Sequence, residues 1–184
     1  MIDTETYLNY SNKENITDEE SADIIEYNKK LVEDYPFLMP YNRFTGEPVG
    51  DYEFTELDSM PNGWRLAFGD RMLHEIKEEL IKENYLDNYR VTQIKEKWGE
   101  LRWYDNGCSK ELSDILDKYT LLSRYTCIDC GNKADYISKG WVAPLCTDCT
   151  HDLMRNKNIP ENEILEYFNS ISEEDKDKVF SLFD

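Results

Sequence analysis

Residues 127–149 read CIDCGNKADYISKGWVAPLCTDC, two Cys-x-x-Cys pairs separated by fifteen residues. Each pair offers two sulfurs on one tight turn, and a loop of this length lets the turns face each other as a tetrahedron. Cys127, Cys130, Cys146 and Cys149 are therefore the expected ligands of one structural Zn2+. Gly131 suits a turn whose backbone bends closely around the sulfurs. A disulfide pair or redox-active Cys-x-x-Cys motifs are the competing reading. Tyr136-Ile137 and Trp141-Val142-Ala143 flank Ser-Lys-Gly as a short hairpin, and THDLMRN after Cys149 can start a helix. With that helix the module is treble-clef-like; without it, a zinc ribbon. Cys108, in DNGCS, reads as a spare thiol.

Upstream, YRVTQIKEKWGELRWY (89–104) alternates β-branched and aromatic residues with polar ones around Trp98-Gly99, which predicts a β-hairpin. Ile94, Glu96, Trp98, Leu101 and Trp103 are expected on one face, and Lys95, Lys97, Arg102 and Tyr104 on the other. Segment 90–104 carries four bases against two acids. Two readings follow. The bases neutralise the protein's own carboxylates or blunt a sheet edge. Alternatively Arg90, Lys95, Lys97, Trp98, Arg102, Trp103 and Tyr104 form an anion site, with cations for phosphate and rings for stacking.

Three helices are legible around the hairpin. Thr17-Asp-Glu-Glu20 is a capping box opening a helix over 18–34. Trp64, Phe68, Met72, Leu73, Ile76 and Leu80 form one face of a helix to about residue 84. Ser109 caps a third helix, with Leu112, Ile115, Leu116, Tyr119 and Leu122 inward. His74 lacks the second histidine of a zinc-protease helix and reads as a surface residue. Residues 1–16 read as frayed. Residues 36–63, with four prolines and four glycines, read as an ordered irregular loop pinned by Tyr41, Phe44, Tyr52 and Phe54. Pro160 and Ser172 should each start a short C-terminal helix, and the apolar cluster Val179, Phe180, Leu182 and Phe183 must dock on the body or on a second chain, as in a homodimer.

The expected fold class is α+β: a small antiparallel sheet packed by helices, with a four-cysteine zinc finger and C-terminal helices. The parts are an acidic segment 1–35, a core 36–125, the finger 126–150 and helices 151–184. At 184 residues with 13 Tyr, 7 Phe and 4 Trp, the chain can bury a core of its own, so the metal is a local staple. No apolar run reaches membrane-span length and the start lacks a secretory pattern. Thiols kept available to a metal fit a reducing cytoplasm.

The formal net charge is −18, with the excess concentrated in residues 1–35 and 150–184. Direct nucleic-acid binding is disfavoured by phosphate repulsion. Solubility is the plain explanation, and a surface imitating phosphate charge for a basic partner the sharper one. No phosphate-cradling loop, nucleophile elbow or useful second histidine appears, and a four-thiolate ion leaves no open position for water. A binding protein is expected, not an enzyme.

PNGWRLAFG, QIKEKWGELRWYDNG and CIDCG with GWVAPLC together give the chain a resemblance to a family of short proteins from phages, prophages and gut bacteria. The matching positions are Gly63 and Trp64, Lys95 to Tyr104, and Cys127, Cys130, Trp141, Cys146 and Cys149. The resemblance covers about residues 36–150 and brings no catalytic residues. Some relatives end the second pair with histidine; here Cys149 is the better ligand and His151 a weak substitute. It implies a phage or mobile-element setting, hence an inhibitor of a host nucleic-acid-handling or defence protein, anti-CRISPR-like. A binder of an anionic nucleotide through hairpin 90–104, or an enzyme acting on one, is the alternative.

Overall fold

The computed structural model describes residues 1–42, 44–157, 164–166, 178–179 and 181. The hairpin forms as two antiparallel strands, β1 (Val91–Lys97) and β2 (Glu100–Asp105), with Ile94 opposite Trp103 and Glu96 opposite Leu101. One side of this sheet buries Ile94 and Leu101. Against it packs α4 (Lys110–Ser123), opened by Ser109, whose Oγ accepts from the Leu112 amide and so satisfies one of the unpaired N–H groups of the first turn. Leu112, Tyr119 and Leu122 complete the buried stripe of that helix.

Helix α3 spans 62–82 and makes the other wall. It starts as an α-turn (Asn62–Trp64), widens to a π-helical stretch (Arg65–Gly69) and continues as α-helix Asp70–Lys82. Trp64, Phe68, Met72, Leu73, Ile76 and Leu80 are all buried, joined by Phe37, Leu38, Leu57 and Tyr89 in one continuous core. This is the stripe that the sequence periodicity predicts; the π-turn is the new feature. It also turns Arg65 inward, where it is only 2 % exposed. His74 lies exposed on the opposite side.

Helix α2 (Asp18–Asp34) carries the expected capping box: Thr17 Oγ1 accepts from Glu20 N–H while Glu20 accepts from Thr17 N–H. The residues before it are not frayed. Asp3 caps helix α1 (Thr4–Ser11), whose Tyr7 and Leu8 are buried against Ile24, with Tyr7 stacked on Tyr27 at 4.5 Å between ring centres. One turn of amphipathic pattern was too short to reveal this helix, and its stability comes from tertiary packing.

Between α2 and α3 the chain is irregular, with short 3-10 turns at Pro36–Leu38 and Glu56–Ser59. The aromatics there pin it less than expected. Phe44 is fully exposed and Phe54 is 43 % exposed. Tyr41 instead lies under Arg90, its ring centre 4.4 Å from the guanidinium.

The finger folds as predicted in outline: a cysteine turn at 127–131, a hairpin, then a helix bearing the last ligand. Its strands are β3 (Tyr136–Ser138) and β4 (Pro144–Leu145), so Trp141 and Val142 fall in the connecting turn instead of a strand. Helix α5 (Thr147–Lys157) follows, giving the treble-clef-like arrangement and not a ribbon. The expected helix through Ile164 and Leu165 is a strand, β5 (Ile164–Glu166), which pairs antiparallel with β3. A free edge of β3 was available, and backbone pairing there outweighs the helical spacing of three residues. Val179 is buried. Pro160, Phe168, the helix expected from Ser172 to Asp175, and Phe180, Leu182 and Phe183 lie outside the described residues, with the expected dimer contact. Among the described residues no helix is long and apolar enough to cross a membrane.

The finger is fused to the core through a backbone contact. A Cβ on Gly63 would stand 2.2 Å from the Cys127 carbonyl oxygen and 2.7 Å from the Gly131 nitrogen, with no flexible side chain able to yield. Gly63→Ala should therefore cost about 3 kcal/mol or more by overpacking and lower Tm by roughly 6–12 °C for a domain of this size. Gly50, with nothing within 4 Å of its would-be Cβ, supplies the control: Gly50→Ala should leave thermal unfolding, followed by circular dichroism, nearly unchanged.

Candidate metal centre

The Cys127–Gly131 turn is closed by the Gly131 N–H donating to the Cys127 carbonyl at 3.0 Å, with Gly131 at φ +82° in the left-handed region open to glycine. Strand β4 delivers Cys146 to the start of α5, and Cys149 follows within its first turn. The Asp135 carboxylate anchors this start, accepting from Thr147 N–H at 3.0 Å and Thr147 Oγ1 at 2.6 Å. Two unrelated turns thus bring four sulfurs together.

All four Sγ atoms lie within 4.8 Å of one another, and Cys130 and Cys146 are 3.5 Å apart. A tetrahedral ion with sulfur at about 2.3 Å would hold its sulfurs about 3.8 Å apart, so the four fit around one centre. Cys127 and Cys146 are buried and Cys130 and Cys149 half-buried, packed by Leu145, Ile128 and Leu153. The Cys149 N–H approaches the Cys146 sulfur at 3.5 Å, as helix N-termini do toward thiolates. Burial pushes the Cys130 thiol up to about 11 and raises Cys149 as well. At Cys146 burial acts in the same sense but is outweighed by the Cys149 N–H and the neighbouring thiols, and its value falls. Four thiolates crowded this closely need a cation, and soft sulfur donors select a thiophilic one. These four residues can hold one metal ion. His151 is exposed and outside the cluster, and Cys108 is likewise exposed and remote from it.

Around the centre the core is tied on by hydrogen bonds. Gly63 N–H donates to the Ile128 carbonyl at 2.9 Å, and the buried Trp64 Nε1–H donates to the Thr126 carbonyl at 3.0 Å. Hairpin β1–β2 reaches the finger from its tip. Glu96 accepts from Gly99 N–H at 2.7 Å and from Trp141 Nε1–H at 3.2 Å, while Gly99 lies against Val142 and Pro144. A groove of about 650 Å³ lies where these parts meet, walled by Asn62, Glu96, Ile128, Trp141, Leu145 and Leu153. Trp141 is 71 % exposed beside it. Sequence reasoning did not anticipate that Glu96 and Trp141 meet.

The basic face of the hairpin is largely engaged within the chain. Arg102 pairs with Glu100 at 2.7 Å, and Glu100 also holds Arg124. Lys95 donates to Gln93 at 2.8 Å and lies over the Tyr104 ring, and Arg90 covers Tyr41. Lys97 is exposed. Trp103 lies on the opposite face, with its Nε1–H donating to Tyr89. Trp98 departs from the strand alternation: it occupies the turn at φ +60°, followed by Gly99 at φ +76°, and is 67 % exposed. Two successive left-handed residues are what a tight hairpin turn demands. The seven candidates for an anion site are therefore not gathered around one point.

No family model, curated protein or solved structure matches the chain.

Native mass spectrometry should find one metal ion per chain, removed by chelator. Cys127→Ser and Cys146→Ser should each lose it, while Cys108→Ser retains full occupancy. Disulfide-linked pairs in the freshly purified wild type, without metal, would contradict this assignment.

Proposed function

We propose that this chain is a non-enzymatic binding protein in which one zinc ion, held by Cys127, Cys130, Cys146 and Cys149, braces a contact surface for a basic partner. The observation that carries the reading is the junction at the metal centre. The sulfur cluster, the Gly63–Trp64 turn and the hairpin tip converge on a groove with Trp141 exposed at its wall and the Glu96 and Asp129 carboxylates beside it. An aromatic residue next to carboxylates suits an Arg or Lys side chain, which can stack its stem or charge on the ring. The long-range field agrees, since Glu19, Glu26, Glu33 and Asp34 are exposed along α2 in a chain of net charge −18. Four thiolates close the ion's coordination shell, which favours a structural role over hydrolysis.

The resemblance to phage and prophage proteins supports a setting inside a bacterial host, in the cytoplasm. A nucleic-acid-handling or defence protein, with a groove built to receive phosphate, offers the matching positive surface. Inhibition by occupying that groove is the activity we assign. The alternative is sequestration, or turnover, of an anionic nucleotide on hairpin 90–104. It would draw on Lys97 and Trp98 and require Lys95 and Arg102 to leave their present partners.

The test is capture of a partner from bacterial lysate at low and high salt, comparing wild type with Trp141→Ala and with the triple variant Glu19→Lys/Glu26→Lys/Glu33→Lys. The captured protein should be basic, should be lost as ionic strength rises, and should be lost or weakened about tenfold in both variants. Capture indifferent to salt and to both variants would refute charge-guided binding. A fluorescence titration with nucleotides that quenches Trp98, and fails in Lys97→Ala, would favour the alternative.

A further inference from the structure

Away from the metal, α1, α2 and the start of α3 enclose a second cavity of about 600 Å³ that has Arg65 in its wall. Arg65 is placed there by the π-helical stretch and is 2 % exposed. Its Nη1 donates to Asp58 Oδ1 at 2.7 Å, and that same oxygen accepts from Tyr7 Oη–H at 2.6 Å. The other oxygen of Asp58 is taken by Thr55 N–H and Oγ1–H. Asp58 is thus fully employed holding the end of the guanidinium. The ring of Tyr7 lies 4.5 Å from the guanidinium carbon and fixes its plane.

The two remaining nitrogens, Nε and Nη2, are buried and have no acceptor. They form the side edge of the guanidinium, the parallel pair of donors that grips two oxygens of a carboxylate or phosphate. A buried donor without an acceptor is destabilising, and an oriented, desolvated fork is how proteins build oxyanion sites. The rest of the wall divides by chemistry. Ile24, Ile25 and Phe54 provide apolar surface, while Ser21 and Lys13 lie on the polar part. Lys13 and Glu20 pair with each other and so are charge-balanced within the rim. A cavity of this volume matches a small molecule.

We propose that this cavity is a binding site for a small organic oxyanion, with the carboxylate or phosphate on the Arg65 Nε/Nη2 edge and an apolar body against Ile24, Ile25 and Phe54. Because the edge is shielded from bulk water, the ligand enters by displacing wall side chains, among which Lys13 is the long, exposed one. The site uses none of the metal-centre residues, and its success or failure leaves the preceding reading untouched.

The test follows the Arg65 Nε–H resonance of the full, metal-loaded chain by ¹⁵N NMR while adding octanoate, AMP or inorganic phosphate, with octanol as the uncharged control. Octanoate or AMP should shift that resonance saturably, and octanol should not. An octanoate response assigns a carboxylate ligand; an AMP response assigns a phosphate ester. Arg65→Lys, which keeps a cation for Asp58 but loses the fork, should weaken binding at least about tenfold by calorimetry. Should that variant fail to fold, Ser21→Phe fills the cavity without touching Arg65 and should also abolish binding. No shift with octanoate, AMP or phosphate up to about 10 mM, a dissociation constant too weak for a specific site, would overturn the proposal. So would undiminished binding in either folded variant.

Discussion

The fold turns on two backbones in contact without side chains between them. Gly63 opens α3 against the turn at Cys127–Gly131, so the first N–H groups of the helix meet carbonyls of the metal turn: Gly63 donates to Ile128. Helix N-termini need such acceptors, and here the metal module supplies one. Gly131 is constrained reciprocally, because a Cβ there would approach the Gly63 carbonyl to 2.6 Å. Metal ligation and core packing are thereby made one problem. The ion fixes the turn, the turn fixes the helix start, and the helix carries Trp64, Phe68 and Met72 into the core.

The hairpin closes the arrangement from the far side. Glu96 lies in β1, yet its two oxygens serve the turn at Gly99 and the indole of Trp141 in the finger. The finger is clasped both at the start of α3 and at the tip of the sheet. Free energy from metal binding is delivered to both contacts, which is how a local staple can influence a core large enough to fold around its own aromatics. The same convergence leaves a concave surface between rigid parts, the usual place for recognition.

The α+β class, α2, α4, the sheet and the four sulfurs were legible because each rests on a short-range rule. Thr17 and Ser109 cap, Leu112 to Leu122 repeat at helical spacing, and the strand residues alternate. What escaped depends on partners distant in sequence. Tyr7 and Leu8 hold α1 only through α2, β5 exists only because β3 has an edge, and Trp98 leaves the alternation because the turn requires a positive φ. The basic hairpin residues read as an ensemble in sequence, whereas Glu100, Gln93 and the rings of Tyr104 and Tyr41 claim them individually. Arg65 was hidden most completely. A charged residue beside an apolar stripe is ordinarily solvated, and its burial needs Asp58 and Tyr7, both supplied by other segments.

The π-turn at Arg65–Gly69 has a bearing on how this chain can vary. One residue added to a helical turn rotates everything upstream by about 100° relative to everything downstream. Residues 62–64 meet the finger and residues 70–82 meet the sheet in their present phase only because that extra residue is there. Loss of a single codon within 65–69 would straighten the helix and swing the tryptophan off its carbonyl. Side-chain exchange at exposed Leu66 or Ala67 leaves the phase intact. Divergence in this stretch should therefore proceed by substitution and conserve length.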